Sequence, residues 1–305
     1  MTTLIKVGDN YGLCNRLFPF ANLIAASAEY GFRIEHAGFS EFSDFFVGTC
    51  GQKIPVFQAG SGGRLQRRPL VPGYHFRRRV ARKLGIETSI ILGTDDVMDF
   101  SLPASQDKLR LYHVVQLNGL YFFDSVAFET HADLIRRYFS PVEKLSQQIS
   151  ELIWNCRTES DLLIGVHIRH GDYKTFADGL MYYTFAEYRE LMQQVARLFP
   201  GRRISFLICS NAEIDLSDFG QLSVTVAPGH PVVDLYALAS CDMIIGPRST
   251  YSEWASFYGG VPRYQHRKNG YLRNGKEWPG VSVEDFKVHT TGFGRCETAH
   301  VLPLR

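Results

Sequence analysis

The C-terminal half of the chain alternates apolar, strand-like segments with amphipathic helical ones, and this alternation restricts the fold more than any other feature. Residues 162–169 are a continuous apolar run with polar residues only at its end, the pattern of a buried parallel strand. Thr184 and Glu187 match a capping box, and apolar residues follow them at helical spacing. Further strands are predicted at 204–209, 222–227 and 243–246, and helices at 232–241 and 249–258. This order predicts a doubly wound parallel α/β domain.

The N-terminal half opens with a strand, a helix and a strand, which is the start of another α/β domain. Its strands are predicted at 3–8, 32–35 and 109–117, and its helices at 15–30 and 131–138. The second α/β run is expected to begin near Glu151. Because 305 residues are many for one core, we expect an N-terminal domain over 1–145 and a C-terminal domain over 146–305. The last residues are expected to return to the first domain.

The composition excludes several classes of protein. The 33 basic and 31 acidic residues give a net charge of +2, whereas a dedicated nucleic-acid binder has a strongly basic balance. The sequence shows no secretory leader and no apolar run long enough to cross a bilayer. Six scattered cysteines without a CxxC pair indicate thiols rather than a disulfide framework or a zinc site. We therefore expect a cytoplasmic protein that binds no nucleic acid.

A basic segment interrupts the first domain near residues 60–85. No acidic residue occurs from 45 to 86, and eight of the twenty residues from 64 to 83 are Arg or Lys. We expect an irregular insertion in which a short basic amphipathic helix could form. A solvated loop with incidental charge is the simpler interpretation. The functional interpretation is that this segment makes peripheral contact with the inner face of an anionic membrane.

Three polar clusters lie where predicted strands end or helices begin, at the edge where parallel sheets bind ligands. In the first, at 167–173, alternation places His167 and Arg169 on the same side, and Gly171 lets the backbone turn close to a ligand. The planar guanidinium of Arg169 suits a phosphate. The alternative is that Arg169 pairs with Asp172 or a helix end and binds no ligand.

The second cluster, at 248–254, combines an arginine with three hydroxyl side chains at a predicted helix start. Backbone N–H groups and hydroxyls at a helix N-terminus bind anions. The alternative is a simple N-cap, in which Ser249 or Thr250 satisfies the helix's own N–H groups. A cap needs one hydroxyl, so the three hydroxyls beside Arg248 favour a phosphate site.

The third cluster, at 9–16, lies between the first strand and the first helix. Gly12 permits close approach of a ligand, and Asn15 and Arg16 stand at the helix start. The cluster lacks the G-x-G-x-x-G pattern, so a dehydrogenase-type dinucleotide site is not indicated. The chain also lacks G-x-x-x-x-G-K-[ST], which argues against hydrolysis of ATP or GTP. An ordinary strand-to-helix turn is the alternative.

The three clusters together resemble the bacterial α-1,2-fucosyltransferase family, whose wider kin are the α-1,6- and protein O-fucosyltransferases. The matching stretches are Gly-Leu-x-Asn-Arg-Leu-Phe at 12–18, His-Ile-Arg-x-Gly-Asp-Tyr at 167–173 and Ser-Thr-Tyr-Ser-x-Trp at 249–254. Shorter similar stretches occur at 117–121, 135–139 and 234–241. The resemblance therefore runs in the expected order from residue 8 to about residue 265.

The resemblance implies two facing Rossmann-like domains in the GT-B architecture, with the donor GDP-fucose in the C-terminal domain and a glycan as acceptor. It implies transfer of fucose with inversion and without a cofactor. The implied catalytic residues are Arg169, on the β-phosphate, Asn15, approaching the sugar from the other domain, and Asp172. The implied nucleotide-sugar-binding residues are His167, Gly12, Arg16, Asn211, Arg248, Ser249, Thr250 and Ser252.

No metal site is expected. Metal-dependent enzymes of this kind carry a D-x-D pair, which the sequence lacks. Departure of GDP develops negative charge, and a fixed cation such as Arg169 stabilises this charge in place of a metal.

The sequence departs from the family pattern at several positions. His170 stands where a second arginine is usual, which predicts a weaker or pH-sensitive grip on phosphate. Asn211 and Ala212 replace a common acidic pair. Cys14 replaces a frequent glycine, and Glu253 replaces the first of two tryptophans. These changes leave the sugar and the linkage open.

Two other functions remain open. One is a non-catalytic nucleotide- or carbohydrate-binding module on the same fold. The intact Arg169 and Asn15 argue against it, and the changes at 211 and 253 keep it open. The other is a polysaccharide pyruvyltransferase, since such enzymes also have an Arg-Ser turn before a helix and a Gly-Val-Pro sequence like that at 260–262. The motif at 167–172 favours the fucosyltransferase.

Overall fold

The computed structural model describes residues 4–8, 12–59, 89–93, 96–112, 114–118, 122–266 and 281–289. These residues form two compact units, one ending at Val142 and the other beginning at Glu143. The boundary predicted from the sequence is at residue 145, three residues later. Each unit contains its own five-stranded sheet.

The first unit contains a mostly parallel five-stranded sheet and a separate two-stranded one. Its strands are β1 (Leu4–Gly8), β2 (Arg33–Glu35), β3 (Val56–Gln58), β4 (Ser89–Leu92), β5 (Met98–Asp99), β6 (Val114–Asn118) and β7 (Phe122–Phe123). The larger sheet has the order β3-β2-β1-β6-β4, in which the β2–β3 pair is antiparallel and the other pairs are parallel. Strands β5 and β7 pair with each other.

The helices of the first unit are α1 (Leu13–Tyr30), α2 (Pro103–Leu111), α3 (Ser125–Thr130) and α4 (Ala132–Tyr138). Most of α1 is buried, because its apolar residues surround the axis rather than marking one face. It ends at Gly31, whose left-handed backbone (φ 74°) lets its N–H bond back to the last turn. The strand–helix–strand start predicted for this domain is confirmed. Its core includes edge-to-face contacts among the rings of Phe20, Phe39, Phe46 and Phe139.

The segment predicted as a strand at 109–117 is instead the end of a helix followed by a strand. Helix α2 runs to Leu111, and β6 begins at Val114. Pro103 stands in the first turn of α2, where a helix needs no N–H from it, and the residues that follow include strong helix formers. The apolar residues Leu109 and Leu111 therefore belong to the last turn of α2, not to the predicted strand.

The second unit is a doubly wound α/β domain, as predicted. Its strands are β8 (Leu162–Ile168), β9 (Ile204–Ser210), β10 (Val224–Val226), β11 (Met243–Gly246) and β12 (Arg263–Gln265). They form one parallel sheet in the order β10-β9-β8-β11-β12. Its helices are α5 (Glu143–Arg157), α6 (Phe185–Arg197), α7 (Pro231–Leu238) and α8 (Thr250–Gly259). Helix α5 thus begins earlier than the start expected near Glu151.

Helices cover both faces of the second sheet. The buried face of α6 and alternate residues of β8 belong to one apolar cluster. On the opposite face, a Cβ at Gly165 of β8 would lie 2.6 Å from Leu238 of α7. All seven residues of β8 are buried, as its continuous apolar run predicted.

The order of strands in the second sheet reverses between β8 and β11. In an open parallel sheet, ligands bind at the carboxyl ends of the two strands where this reversal occurs. The first polar cluster follows β8 and the second follows β11. The fold therefore brings these two clusters to the reversal point.

Some predictions lie outside the described residues. They concern the basic segment at 64–83, residues 9–11 of the third polar cluster and the return of the chain's last residues to the first domain. Within the described ranges, no helix has both the length and the apolar character that a membrane span requires.

Candidate active site

Arg169 is the first residue after β8 and stands at the carboxyl edge of the second sheet. Its Nη2 lies 2.9 Å from Oδ1 of Asp172, so the pairing that the sequence analysis held as the alternative is formed. The side chains are 38% and 56% exposed, and an ion pair so exposed is worth about 0–1 kcal/mol. An ion pair this weak does not exclude another anion from Arg169.

The turn between β11 and α8 carries the second polar cluster. Ser249 is the N-cap of α8, and its Oγ accepts a hydrogen bond from the N–H of Tyr251 at 3.2 Å. Arg248 is exposed, while Ser249 and Thr250 are partly exposed. Ser252 is fully buried, and its Oγ donates to the carbonyl of Ser249 at 3.1 Å. The cap interpretation thus accounts for Ser249, and Ser252 supports the turn from inside.

A tyrosine joins the loop after β8 to this turn. The hydroxyl of Tyr173 donates to the carbonyl oxygen of Arg248 at 3.0 Å. Near them, the ring of His167 lies 5.0 Å from the ring of Tyr251. A Cβ at Gly246 would lie 2.8 Å from the carbonyl oxygen of His167, so the close approach of β11 to β8 requires a glycine there. The first and second polar clusters therefore form one site.

Asn211 joins the site from the end of β9. Its side chain is exposed, and its Oδ1 accepts a hydrogen bond from the N–H of His170 at 2.8 Å. Gly171, the next residue in the loop, has a left-handed backbone (φ 57°) that favours glycine. Asn211 thus positions the loop that carries Arg169.

The side chain of His170 is packed in the core of the second unit. Its Nε2 donates to the carbonyl of Tyr183 at 2.8 Å, and its ring lies 4.7 Å from that of Tyr182 and 4.6 Å from that of Phe185. Burial lowers the pKa of His170 below its ordinary value, which favours the neutral ring. The structure therefore corrects the expectation that this residue gives a pH-sensitive grip on phosphate.

His167 is also held neutral. Burial lowers its pKa to about 3, and the nearby charges of Arg169 and Arg263 act in the same direction. A neutral imidazole contributes no positive charge to an anion site. Positive charge where these two strands end is therefore supplied by arginines such as Arg169 and Arg248 and not by His167.

An ion pair that the sequence did not predict joins Arg263 of β12 to Glu253 of α8. The buried Nη2 of Arg263 lies 3.5 Å from Oε1 of Glu253, and its Nη1 donates to Oγ of Ser252 at 3.3 Å. Burial raises the pKa of Glu253, while the charges of Arg263 and Arg248 act against this rise. The unusual acidic residue at 253 was noticeable in the sequence, but no pattern linked it to a particular partner on β12.

The third polar cluster belongs to the first unit, at the start of α1. Gly12 is the exposed N-cap of α1, and Asn15 is partly exposed in its first turn. Arg16 is buried, with Nη2 3.2 Å from Oε2 of Glu41 and Nη1 donating to the carbonyl of Gly38. Arg16 therefore ties α1 to the segment after β2.

The structure divides the predicted site residues between the two units. The second unit holds, near the carboxyl edge of its sheet, His167, Arg169, Asp172, Asn211, Arg248, Ser249, Thr250 and Ser252. The first unit holds Gly12, Asn15 and Arg16. Within the part of the chain that the structure describes, no group of three or more His, Cys, Asp and Glu side chains could hold a metal ion.

Solved structures with the same fold are found among proteins that were studied with GDP. No family model and no curated protein sequence matches the chain. A mutant of Arabidopsis thaliana FUT1 in complex with GDP is similar with a TM-score of 0.52 and 12% identity, over 98% of this chain and 79% of that one. Fucosyltransferase NodZ from Bradyrhizobium is similar with a TM-score of 0.54 and 16% identity, over 87% of this chain and 96% of that one. POFUT1 in complex with GDP is similar with a TM-score of 0.50 and 12% identity, over 86% of this chain and 97% of that one.

These similarities concern the fold. The chain shares the two Rossmann-like α/β units of the fucosyltransferase structures along most of its length, although few residues are identical. The predicted fold class is therefore confirmed.

Proposed function

We propose that the protein is a glycosyltransferase that moves fucose from GDP-fucose to a hydroxyl of a glycan acceptor, with inversion at the anomeric carbon. The fold is that of FUT1, solved with GDP, and of NodZ, an α-1,6-fucosyltransferase soaked with GDP-fucose. The observation that carries the proposal is the position of Arg169 at the strand reversal, joined through Tyr173 to the start of α8. An α-1,2 linkage is part of the proposal and rests on the sequence motifs.

In this proposal Arg169 binds the β-phosphate and stabilises GDP as it leaves. Negative charge builds up on the phosphate when the glycosidic bond breaks, so a fixed cation stabilises the transition state more than the ground state. Asp172 holds the guanidinium before the donor binds, and then shapes the same pocket after the phosphate has displaced it.

The start of α8 binds the other phosphate oxygens. Ser249 and Thr250 are partly exposed at a helix N-terminus, where N–H groups and the helix dipole favour anions. Arg248 adds a second cation from the exposed side of the turn. Ser252 is buried, so its role is to hold the carbonyl of Ser249 rather than to contact the donor.

The remaining predicted residues position the donor and the sugar. His167 and Asn211 shape the donor pocket from the ends of β8 and β9. For Asn15 and Gly12 of the first unit, a role in binding the sugar is proposed from the sequence motif alone. The buried Arg16 of the same unit holds the start of α1 in place.

Turnover of GDP-fucose on a glycan array tests the proposal. We expect fucosylation of a defined set of glycans with release of GDP, at the same rate with and without EDTA, because Arg169 takes the place of a metal. Turnover of phosphoenolpyruvate instead of a GDP-sugar would favour the pyruvyltransferase, and binding without turnover would favour the binding module. Loss of activity in EDTA that Mg²⁺ or Mn²⁺ restores would contradict the role of Arg169.

We also propose that this protein is cytoplasmic and that its basic segment at 64–83 attaches it peripherally to an anionic membrane. Its eight positive charges would each contribute about 1 kcal/mol near an anionic surface, and salt screening would weaken the attraction. Co-sedimentation is therefore expected with anionic vesicles at low salt, and not at high salt or with neutral vesicles. Equal recovery in the supernatant under all these conditions would mean that the protein does not bind the membrane and that the charge of this segment has no such role.

A further inference from the structure

The loop between β8 and α6 presents apolar side chains next to the proposed phosphate site. We define the lip as three of its residues, Tyr173, Phe176 and Leu180. The Phe176 side chain is 54% exposed and that of Leu180 is 67% exposed. An exposed apolar residue is ordinary in itself, and these two are of interest because they lie in the loop that begins at Arg169.

The two aromatic rings of the lip are stacked and held in place. The ring planes of Tyr173 and Phe176 are inclined by 21°, with centroids 5.8 Å apart. On Tyr173, the guanidinium of Arg169 lies 5.5 Å from the ring centroid, and the hydroxyl donates to the carbonyl of Arg248. A continuous stack therefore runs from the proposed phosphate-binding arginine to an exposed phenyl ring.

The backbone of the loop is compact. It consists of two 3₁₀ turns, Gly171–Lys174 and Phe176–Gly179. Asp178 has a left-handed backbone (φ 55°), a conformation uncommon outside glycine that concentrates at functional sites. The next residue, Gly179, has φ 71°, and a Cβ there would lie 3.1 Å from the carbonyl oxygen of Lys174. The loop thus folds back on itself and presents Phe176 at a defined place.

The loop that carries the lip also carries polar side chains of the kinds that bind sugar hydroxyls. Asp172, Lys174, Thr175 and Asp178 are all exposed, and their side chains offer hydrogen-bond donors and acceptors. A pyranose ring has a face of C–H bonds that packs on an aromatic ring, and a rim of hydroxyls that donate and accept hydrogen bonds. A lipid chain would need no polar rim, and a stable protein partner would need a larger apolar surface. The combination of groups in this loop therefore fits a sugar.

We infer that the lip is the subsite for the acceptor sugar, with the ring of Phe176 packed against its C–H face. This assignment rests on the proposed function, because it takes the acceptor to be a glycan and Arg169 to hold the β-phosphate. The contact of Tyr173 with Arg169 places the subsite beside the group from which fucose departs. On this assignment, residues of the second unit contribute to binding the acceptor as well as the donor.

Saturation-transfer NMR with the methyl glycosides of galactose, glucose and N-acetylglucosamine tests this inference. With the native protein, we expect transfer to ring protons on one face of at least one glycoside. Phe176→Ala should weaken this binding about fivefold or more, since it removes the aromatic contact. Phe176→Trp should retain the binding. Leu216→Ala is the matched control, because it removes a side chain that is 55% exposed elsewhere in the same unit.

Titration of the same variants with GDP separates this inference from the proposed function. Two results would overturn the assignment of the lip to the acceptor sugar and leave the donor proposal unaffected. In the first, the native protein binds GDP but gives no glycoside signal. In the second, it binds GDP and its glycoside signal is unchanged in Phe176→Ala. A glycoside signal that depends on Phe176 in a protein that binds no GDP would contradict the proposed donor, and with it the assignment of the lip to an acceptor. Binding of decyl glycosides through their alkyl protons alone would also overturn the inference, since the lip would then hold a lipid chain.

Discussion

Arg169 has two candidate partners, the carboxylate of Asp172 in its own loop and the phosphate of a donor. In the structure it pairs with Asp172, and in the proposed complex it binds a phosphate. The two roles are compatible because an exposed ion pair is weak, whereas a phosphate offers a guanidinium two parallel charge-assisted hydrogen bonds. Asp172 therefore keeps the guanidinium at the site without blocking it.

Replacement of Arg169 tests its role in catalysis. Arg169→Ala is expected to lower turnover on the order of 10³-fold, which corresponds to about 4 kcal/mol of transition-state stabilisation. Arg169→Lys should restore little of this loss, since an ammonium offers a point charge in place of a planar fork. Steady-state kinetics measures both effects, with Arg197→Ala as a control that removes an exposed arginine from the last turn of α6. Full activity in Arg169→Ala would remove this residue from the mechanism.

Some of these residue positions could be predicted from the sequence and others could not. The order of strands and helices determines that the loops after β8 and β11 meet, so Arg169 and Ser249 could be expected at one site. The inward direction of Ser252 depends on how α8 is rotated about its axis. The pairing of Arg263 with Glu253 depends also on where β12 lies beside β11. Local sequence patterns do not determine either of these tertiary arrangements.

Among the helices and strands, the start of α6 is one that the sequence predicts well. The Glu187 N–H donates to Oγ of Thr184 at 3.3 Å, and the Thr184 N–H donates to Oε2 of Glu187 at 2.6 Å. This reciprocal pair is the capping box that the sequence predicted. The strand predicted at 109–117 was wrong at its start, because the helix formers that follow Pro103 continue α2 to Leu111.

Removal of the capping hydroxyl tests how much this helix start contributes to stability. Thr184→Ala is expected to lower the free energy of unfolding of the second unit by about 1 kcal/mol, because an N–H of the first turn loses its partner. Glu187→Gln should cost less, since glutamine can keep the reciprocal bond. Chemical denaturation of both variants gives the two free energies. Equal stability of Thr184→Ala and the native protein would mean that water replaces the cap without loss.

At the scale of the whole molecule, both units bury neutral histidines. Burial lowers the pKa of His36 in the first unit to about 3, and the charge of Arg16 adds to this effect. In the second unit it lowers the pKa of His167 to about 3 and that of His266 to about 4. Each of these residues takes up a proton more readily in the unfolded chain than in the folded protein.

The protein is therefore expected to lose stability in mild acid. A histidine with a lowered folded pKa leaves stability intact above its unfolded pKa of about 6.5. Between that pH and its folded pKa, each such histidine removes about 1.4 kcal/mol per pH unit. Thermal melts from pH 7.5 to pH 5 measure the loss. In His266→Phe, the melting temperature should fall less steeply with acid, and an unchanged slope would mean that His266 does not contribute.

Calorimetric titration measures whether the second unit binds a GDP-sugar through Arg169. The native protein is expected to bind GDP more tightly than UDP or CMP. Arg169→Ala should weaken the binding of GDP, while the exposed control Leu216→Ala should bind it as the native protein does. No heat with GDP together with clear binding of UDP or CMP would contradict the claim.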